Sequence, residues 1–309
     1  MATTGAPPTF ATPPGFLGLP QRGERGAAGF CVAGVPLDIG TTNRAGARDG
    51  PAAIRRASRM LVDGAHPEHW VAPHADMDLA DVGDFAIALG DLAASLAMIE
   101  AQAAECRHLV ALGGEHSISL PLLRALVCRL GRPVGLLHFD AHLDTWPESF
   151  GQRFAHGSPF FHAIEEGLLE PRRMIQVGIR SPVDRETWAW TTGRGVTIVP
   201  AQQALEAGPV ALAAQARSVL GDGPCYLSFD IDALDPAHAP GTGTPEIGGL
   251  ASWQAQGILR RLGGVAFVGM DVVEVAPAYD VSEITALAAA TLAWEYLALL
   301  GAAGRTGRS

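Results

Sequence analysis

Apolar stretches of strand length recur along this chain and alternate with segments that read as helices. Runs at 30–37, 109–112, 134–139, 174–179, 196–199, 225–229 and 267–275 are almost continuously apolar. That pattern suits strands covered on both faces. Between them, 51–61, 91–105, 117–130, 210–220, 252–262 and 282–300 read as helices, with Pro51 suited to a first turn and Asp91 and Ser252 suited to N-caps. Strand and helix in alternation predict an α/β fold, a parallel sheet with helices on both faces. No internal repeat or linker interrupts it, so one domain is expected over 30–303, preceded by an irregular arm at 1–29 rich in Pro and Gly.

Three polar runs sit where apolar strands end. They are Gly113-Gly114-Glu115-His116-Ser117, Asp140-Ala141-His142-Leu143-Asp144 and Asp230-Ile231-Asp232. Asp140, His142 and Asp144 share one face if the chain is extended there. A single Asp-x-Asp at a strand end most often only caps a turn. Two such runs together with a histidine-bearing glycine turn point to a site instead. Open parallel sheets bind ligands at the carboxyl ends of their strands, so the distance in sequence between His116 and Asp232 is no obstacle. Imidazole and carboxylate donors suit borderline divalent metals. This many of them suits two ions with bridging carboxylates.

Composition narrows the alternatives. The chain has 309 residues, 48% apolar and 17% charged, with 37 glycines, which is enough to bury a core and argues against disorder. A net charge of −10 leaves no basic face for nucleic acid and is compatible with a small cationic substrate. The first thirty residues lack the basic start and apolar block of a secretory signal. No run of about eighteen apolar residues is read that would cross a membrane. Cys31, Cys106, Cys128 and Cys225 form no C-x-x-C pair and are expected to be small buried thiols in a reducing cytoplasm. His138 is expected in the core behind Asp140, and His66, His69, His74, His108, His162 and His238 are expected to have no role.

These runs resemble the signatures of the ureohydrolase superfamily, which contains the arginases and agmatinases. The resemblance extends over Val35-Pro36-Leu37-Asp38, Arg44-Ala45-Gly46-Ala47-Arg48, Ser228-Phe229-Asp230-Ile231-Asp232, Leu234-Asp235-Pro236, Ala239 to Pro245, Gly248-Gly249-Leu250, Asp271-Val272-Val273-Glu274-Val275 and Tyr279-Asp280. It implies a three-layer αβα fold with a mostly parallel sheet of about eight strands. It also implies two Mn²⁺ per chain, with Ni²⁺ as the alternative. One ion would take His116, Asp140, Asp144 and Asp230, and the other Asp140, His142, Asp230 and Asp232. A hydroxide bridging the ions would attack a guanidinium carbon to give urea and an amine. Asp144 would orient the hydroxide, Glu274 would bind the guanidinium, and His156 would carry the proton. A homotrimer or homohexamer is implied as well.

The Ser-Gly-Asn loop that arginases use for the amino-acid head of arginine is absent from 145–155. The Pro240-Gly241-Thr242-Gly243-Thr244-Pro245 and Ala276-Pro277-Ala278-Tyr279-Asp280 runs look like the agmatinase and guanidinobutyrase branch. Agmatine is therefore the leading substrate, with guanidinobutyrate, guanidinopropionate and small guanidines or biguanides as alternatives. Glu148 and Arg153, both near the active-site loop, favour opposite tails. Two positions depart from the usual pattern, Glu115 in place of Asp and Asp49 in place of Phe. A non-catalytic partner subunit and a binuclear hydrolase of another bond are the competing readings. The full ligand set opposes the first, and Glu274 with the Gly-Thr-Gly-Thr-Pro run opposes the second.

Overall fold

Eight strands form one wholly parallel sheet in the order β2-β1-β3-β8-β7-β4-β5-β6 in the computed structural model, which describes residues 14–21 and 26–306. In chain order they are β1 (Phe30–Val35), β2 (Leu79–Asp84), β3 (Leu109–Gly113), β4 (Val134–Phe139), β5 (Leu169–Ile179), β6 (Thr197–Pro200), β7 (Cys225–Asp230) and β8 (Phe267–Val273). The helices are α1 (Gly50–Ser58), α2 (Pro73–Asp76), α3 (Leu92–Ala103), α4 (Ser119–Leu130), α5 (Pro159–Glu165), α6 (Arg185–Gly193), α7 (Ala201–Leu220), α8 (Ser252–Leu259) and α9 (Ile284–Thr306). One face of the sheet packs on α1, α7, α8 and α9, the other on α3, α4 and α5, giving the three expected layers.

Seven of the eight strands coincide with the apolar runs. The eighth, β2, does not look like a buried strand because its sequence, Leu79-Ala80-Asp81-Val82-Gly83-Asp84, holds two carboxylates. Arg55 on α1 compensates them. Its guanidinium meets Asp81 at 2.8 and 3.0 Å and Asp84 at 2.5 Å, and Asp81 is fully buried. Asp81 also accepts the backbone N–H of Phe16 at 2.7 Å. Phe16 and Leu17, in the stretch expected to be an irregular arm, are core residues. The rest of that arm, 1–13 and 22–25, lies outside the described residues.

Helix boundaries differ where local chemistry decides them. Asp91 caps α3 as expected, accepting from Ala94 N. Ser252 does not cap α8. It is the first helical residue, and Gln254 accepts the N–H of Ala251 instead. Element α7 is two helical segments joined at a kink where Gly208, at φ 71°, leaves helical geometry; the second begins at Pro209, next to the expected 210, and the first, 201–207, was not read from sequence. Asp280 caps α9 through the N–H groups of Thr285 and Ala286. Helices α5 and α6 were not legible as periodic segments.

The expectation that no apolar stretch reaches membrane-spanning length needs correction. Ile284–Gly304 in α9 has a mean hydropathy of 1.5 and the length to cross a bilayer. It is a core helix, since 67% of its most apolar window is buried inside the protein. It also carries Glu295, which is buried and bonded to Arg260 at 2.5–3.0 Å and to His66 at 2.8 Å. None of the four cysteines forms a disulfide. Cys31, Cys106 and Cys225 are buried, but Cys128 on α4 is exposed.

Breaking the buried Arg55–Asp81 pair leaves a guanidinium in the core with half its partners. Asp81→Ala is expected to lower unfolding free energy by about 3 kcal/mol, measured by denaturant titration. A change below about 1 kcal/mol would mean that Asp84 alone suffices.

Candidate metal centre

Strand register builds the site. Across the four central strands, Leu112, Val272, Phe229 and Phe139 lie in one row. The strands therefore end level, and Asp140 and Asp230 emerge side by side just beyond Phe139 and Phe229. Because side chains alternate, Phe139 and Phe229 turn to the opposite face and stack at 4.9 Å. One step deeper, Asp271, Ser228, His138 and Gln176 form a buried polar row on neighbouring strands. The third contributor, His116, follows β3 through Gly114. A Cβ on Gly114 would lie 2.2 Å from the Leu37 carbonyl oxygen, so only glycine lets the chain pass there.

All six candidate ligands converge. His116 Nδ1 stands 2.9 Å from Asp144 Oδ2, 3.2 Å from Asp140 Oδ2 and 3.3 Å from Asp230 Oδ2. His142 Nδ1 stands 3.2 Å from Asp140 Oδ1 and 3.1 Å from Asp232 Oδ2. Asp140 thus presents one oxygen to each histidine. Asp230 presents Oδ2 to His116, while its Oδ1 accepts the N–H of Asp232 at 2.8 Å.

The donor set fits divalent cations on three grounds. Donors about 3 Å apart match the edge of an octahedron with bonds of about 2.1 Å. The tautomer of His116 follows from its neighbours. Ser228 Oγ donates to Asp271 Oδ1 at 2.6 Å and so accepts from His116 Nε2 at 2.8 Å. The Nδ1 of a neutral His116 then carries a lone pair, is buried, has no hydrogen-bond partner and faces three carboxylates. Only a proton or a cation reconciles those charges. The titration directions carry the same tension. Burial, then Asp232 and Asp140, push Asp230 well above the usual carboxylate range. Burial opposes charge on His116 and His142, yet the carboxylates around each hold both well above the ordinary imidazole value.

His138 lies close enough to join the donors, but both its nitrogens are engaged. Gln176 Nε2 reaches Nδ1 at 3.0 Å, and Nε2 meets Asp140 Oδ2 at 2.8 Å. It backs Asp140, as expected from sequence. Phe160 on α5 walls both rings off, with centroids 5.2 Å from His116 and 4.4 Å from His138.

Glu274 and Asp144 both adopt left-handed backbone, at φ 64° and 52°. For non-glycine residues this conformation is uncommon, and it concentrates at functional sites. The turn at Glu274 brings its carboxylate, 1% exposed, back over the strand ends. Oε1 accepts from His116 N at 2.9 Å and lies 3.2 Å from His156 Nδ1, while Oε2 is buried without a partner. Burial lowers the His156 pKa, but Glu274, Asp144 and Glu115 raise it further, to about 9.

A cavity of about 470 Å³ opens above the centre, lined by His142, Asp144, Asp230 and His156 at its floor. Trp146, Glu148, Phe150 and Pro182 lie among its other lining residues. Glu148 therefore borders the cavity, whereas Arg153 stacks over Phe154 at 5.2 Å. Asp49 is exposed at the start of α1 and caps nothing. Among the histidines expected to be incidental, His66 bonds Glu295 and His108 bonds Tyr296, both away from this centre. Thr42, Trp146, Ser228, Thr244 and Gln176 were not singled out. Hydroxyls and amides inside apolar or loop sequence carry no spacing signal, and only the register of the folded sheet reveals them.

The model of the arginase family matches residues 28–298. A guanidinopropionase from Pseudomonas aeruginosa is 44% identical over 299 residues, covering 95% of this chain and 93% of that protein. An agmatinase from Edwardsiella ictaluri is 45% identical over 290 residues, covering 92% of each chain. The solved structure of proclavaminate amidino hydrolase from Streptomyces clavuligerus superposes with a TM-score of 0.90 at 36% identity, covering 96% of this chain and 100% of that one.

Two outcomes follow for metal binding. Ser228→Ala removes the acceptor that orients His116 and is expected to weaken divalent-metal affinity roughly 10–100-fold, read by competition with a chelator. Because His116 and His142 hold protons more tightly than free imidazole, binding must expel them. Affinity should therefore rise with pH through neutrality, and calorimetry in buffers of different ionisation enthalpy should register proton release.

Proposed function

We propose that this chain, which belongs to the arginase family, holds two divalent ions through these six residues and hydrolyses a linear guanidino compound, agmatine first, to urea and an amine. His116, Asp140, Asp144 and Asp230 would hold one ion, and Asp140, His142, Asp230 and Asp232 the other. Hard carboxylate donors with only two imidazoles favour Mn²⁺. Such ions supply, when bound, the acidity that makes water a nucleophile near neutral pH.

The protein's own groups account for the rest. Glu274 Oε2, buried and unpartnered, is available to pair with a guanidinium N–H in a charge-assisted contact. Asp144, which lines the cavity floor, accepts a hydrogen bond from the attacking water and orients it. His156, protonated near neutrality, gives its proton to the leaving nitrogen as the C–N bond breaks. Guanidinium plus water becomes urea plus an ammonium ion, so charge and atoms balance. The observation that carries this reading is the sharing of Asp140 between two donor sets with a free carboxylate oxygen beside them.

The cavity supports a cationic tail. Glu148 lies on its lining and no Lys or Arg does among the described residues. Guanidinobutyrate and guanidinopropionate would find no ammonium or guanidinium there for their carboxylate, which ranks them behind agmatine. The exposed Phe150 and the part-exposed Ile39 border a neighbouring hollow of about 510 Å³ and support assembly into the trimer or hexamer expected from the resemblance. Four cysteines outside any disulfide suit a reducing cytoplasm.

Urea release should be measured with agmatine, 4-guanidinobutyrate, 3-guanidinopropionate and arginine, each with Mn²⁺ and with Ni²⁺. Agmatine with Mn²⁺ is expected to give the highest kcat/KM. No urea from any of them in metal-loaded protein would refute the proposal. Glu274→Gln should raise KM and lower kcat by misplacing the carbon. His156→Ala should lower kcat roughly 10²–10⁴-fold at unchanged metal content.

A further inference from the structure

We infer that Thr42 and Glu115 are positioning residues for His156, acting through the loop at 38–46. The inference rests on the proton role given to His156 above. His156 lies on the 145–158 loop and is not held by a strand. Its ring is gripped at both nitrogens. Nδ1 lies 3.2 Å from Glu274 Oε1. Nε2 lies 2.7 Å from Thr42 Oγ1, and in the neutral ring it can also accept the Thr42 N–H, 3.3 Å away. A hydroxyl can donate to a neutral imidazole and accept from a charged one. Thr42 can therefore stay bonded through the whole proton cycle, which a methyl group in its place could not do.

Thr42 is useful only if its own loop is fixed, and Glu115 fixes it. Glu115 is fully buried and accepts from Ser117 Oγ at 2.6 Å, Ser117 N at 3.0 Å and Gly40 N at 3.2 Å. Gly40 O in turn accepts from His156 N at 3.3 Å. A Cβ on Gly40 would stand 2.7 Å from Glu115 Oε1, so the carboxylate and the glycine are matched in shape. Glu115 is one methylene longer than the Asp expected here from the family resemblance, and its carboxylate reaches the Gly40 N–H. Farther along, Asn43 Nδ2 donates to Gly243 O at 2.9 Å, and Gly46 N donates to Asp38 Oδ2 at 2.9 Å. A closed ring results, running His116 N to Glu274 to His156 to Thr42, along the loop to Gly40, and back through Glu115 to His116. It joins the metal-binding turn, the guanidinium carboxylate and the proton carrier in one hydrogen-bonded circuit.

The charged groups facing His156 are Glu274, Asp144 and Glu115, and none belongs to the 38–46 loop. A Thr42 variant therefore alters the grip on the ring without altering that charge set. The test uses full-length, metal-loaded Thr42→Val, Thr42→Ser and Glu115→Asp. Two readouts are taken: the pH profile of urea release, and the imidazole ¹⁵N titration of His156 by NMR. Thr42→Val is expected to lower kcat roughly 10–100-fold, with KM and metal content within about twofold, and to displace the His156 titration. Thr42→Ser should recover most of both. Glu115→Asp should move both in the direction of Thr42→Val while metal content holds. A Thr42→Val protein with wild-type kcat and titration would overturn the inference. So would a Thr42→Ser protein as impaired as Thr42→Val, because a hydroxyl in place would then not restore the grip. If wild-type protein released no urea, the function proposed above would fail, and an unmoved NMR titration would still separately overturn the Thr42 role.

Discussion

Four carboxylates and two imidazoles converge at the strand ends, all but His142 buried, and the repulsion among the carboxylates governs the surrounding structure. Buried carboxylates gathered around two histidine nitrogens at about 3 Å cannot all remain ionised without a cation. The protein nevertheless keeps Asp140, Asp144, Asp230 and Asp232 together, with His116 Nδ1 turned inward and unpartnered. Such a cluster is stable only with divalent ions, or with protons in their place. Metal binding and folding of the strand ends are in that sense linked, and the same donors that would destabilise an empty site make it selective for hard cations.

The sheet keeps the cluster from relaxing. The row of Asp271, Ser228, His138 and Gln176 beneath it is buried and hydrogen-bonded from strand to strand. Asp271 takes three hydroxyls, from Ser119, Tyr226 and Ser228. That fixes Ser228, which fixes the tautomer of His116. Gln176 fixes His138, which bonds Asp140. His116 and Asp140 are thus held from behind by Ser228 and His138, and rotation of one ring would leave a buried polar atom unsatisfied at a cost of about 1–3 kcal/mol. The supporting row lies in the middle of the sheet, where neighbouring strands leave backbone no freedom.

The loops that carry Asp144, Thr42, His156 and Glu274 are held differently. Asp144 and Glu274 occupy left-handed backbone, a strain of order 1–3 kcal/mol each. The turn at Glu274 is held by the bond from its N–H to Gly114 O at 2.8 Å and by the acceptance of His116 N. That geometry folds the carboxylate back over the strand end, where a β-conformation would carry it onward. The loops carrying Thr42 and His156 lean on this turn and on each other.

Much of this was legible in sequence. Apolar runs covered on both faces marked seven strands, because a parallel sheet buried between helices leaves no polar alternation to obscure them. The ligand runs could be read because metal coordination demands particular residue types at strand ends. Their convergence was predictable because parallel strands bring those ends together. Strand β2 was hidden, since Asp81 and Asp84 look like loop residues until Arg55, distant in sequence, neutralises them. The apolar length of α9 could not by itself separate a core helix from a membrane span. Its buried Glu295, paired with Arg260 and His66, decides that, and no window of local sequence contains the pair. The supporting residues were beyond sequence for the same reason. Ser228, noted only as the start of a signature run, and Gln176 and Thr42 are common residues given no role from sequence; the register that places Ser228 beside Asp271 and the loop crossing that places Thr42 against His156 give them meaning. Chemistry that depends on residue type is written along the chain, whereas chemistry that depends on which neutral donor meets which acceptor is decided by tertiary contact.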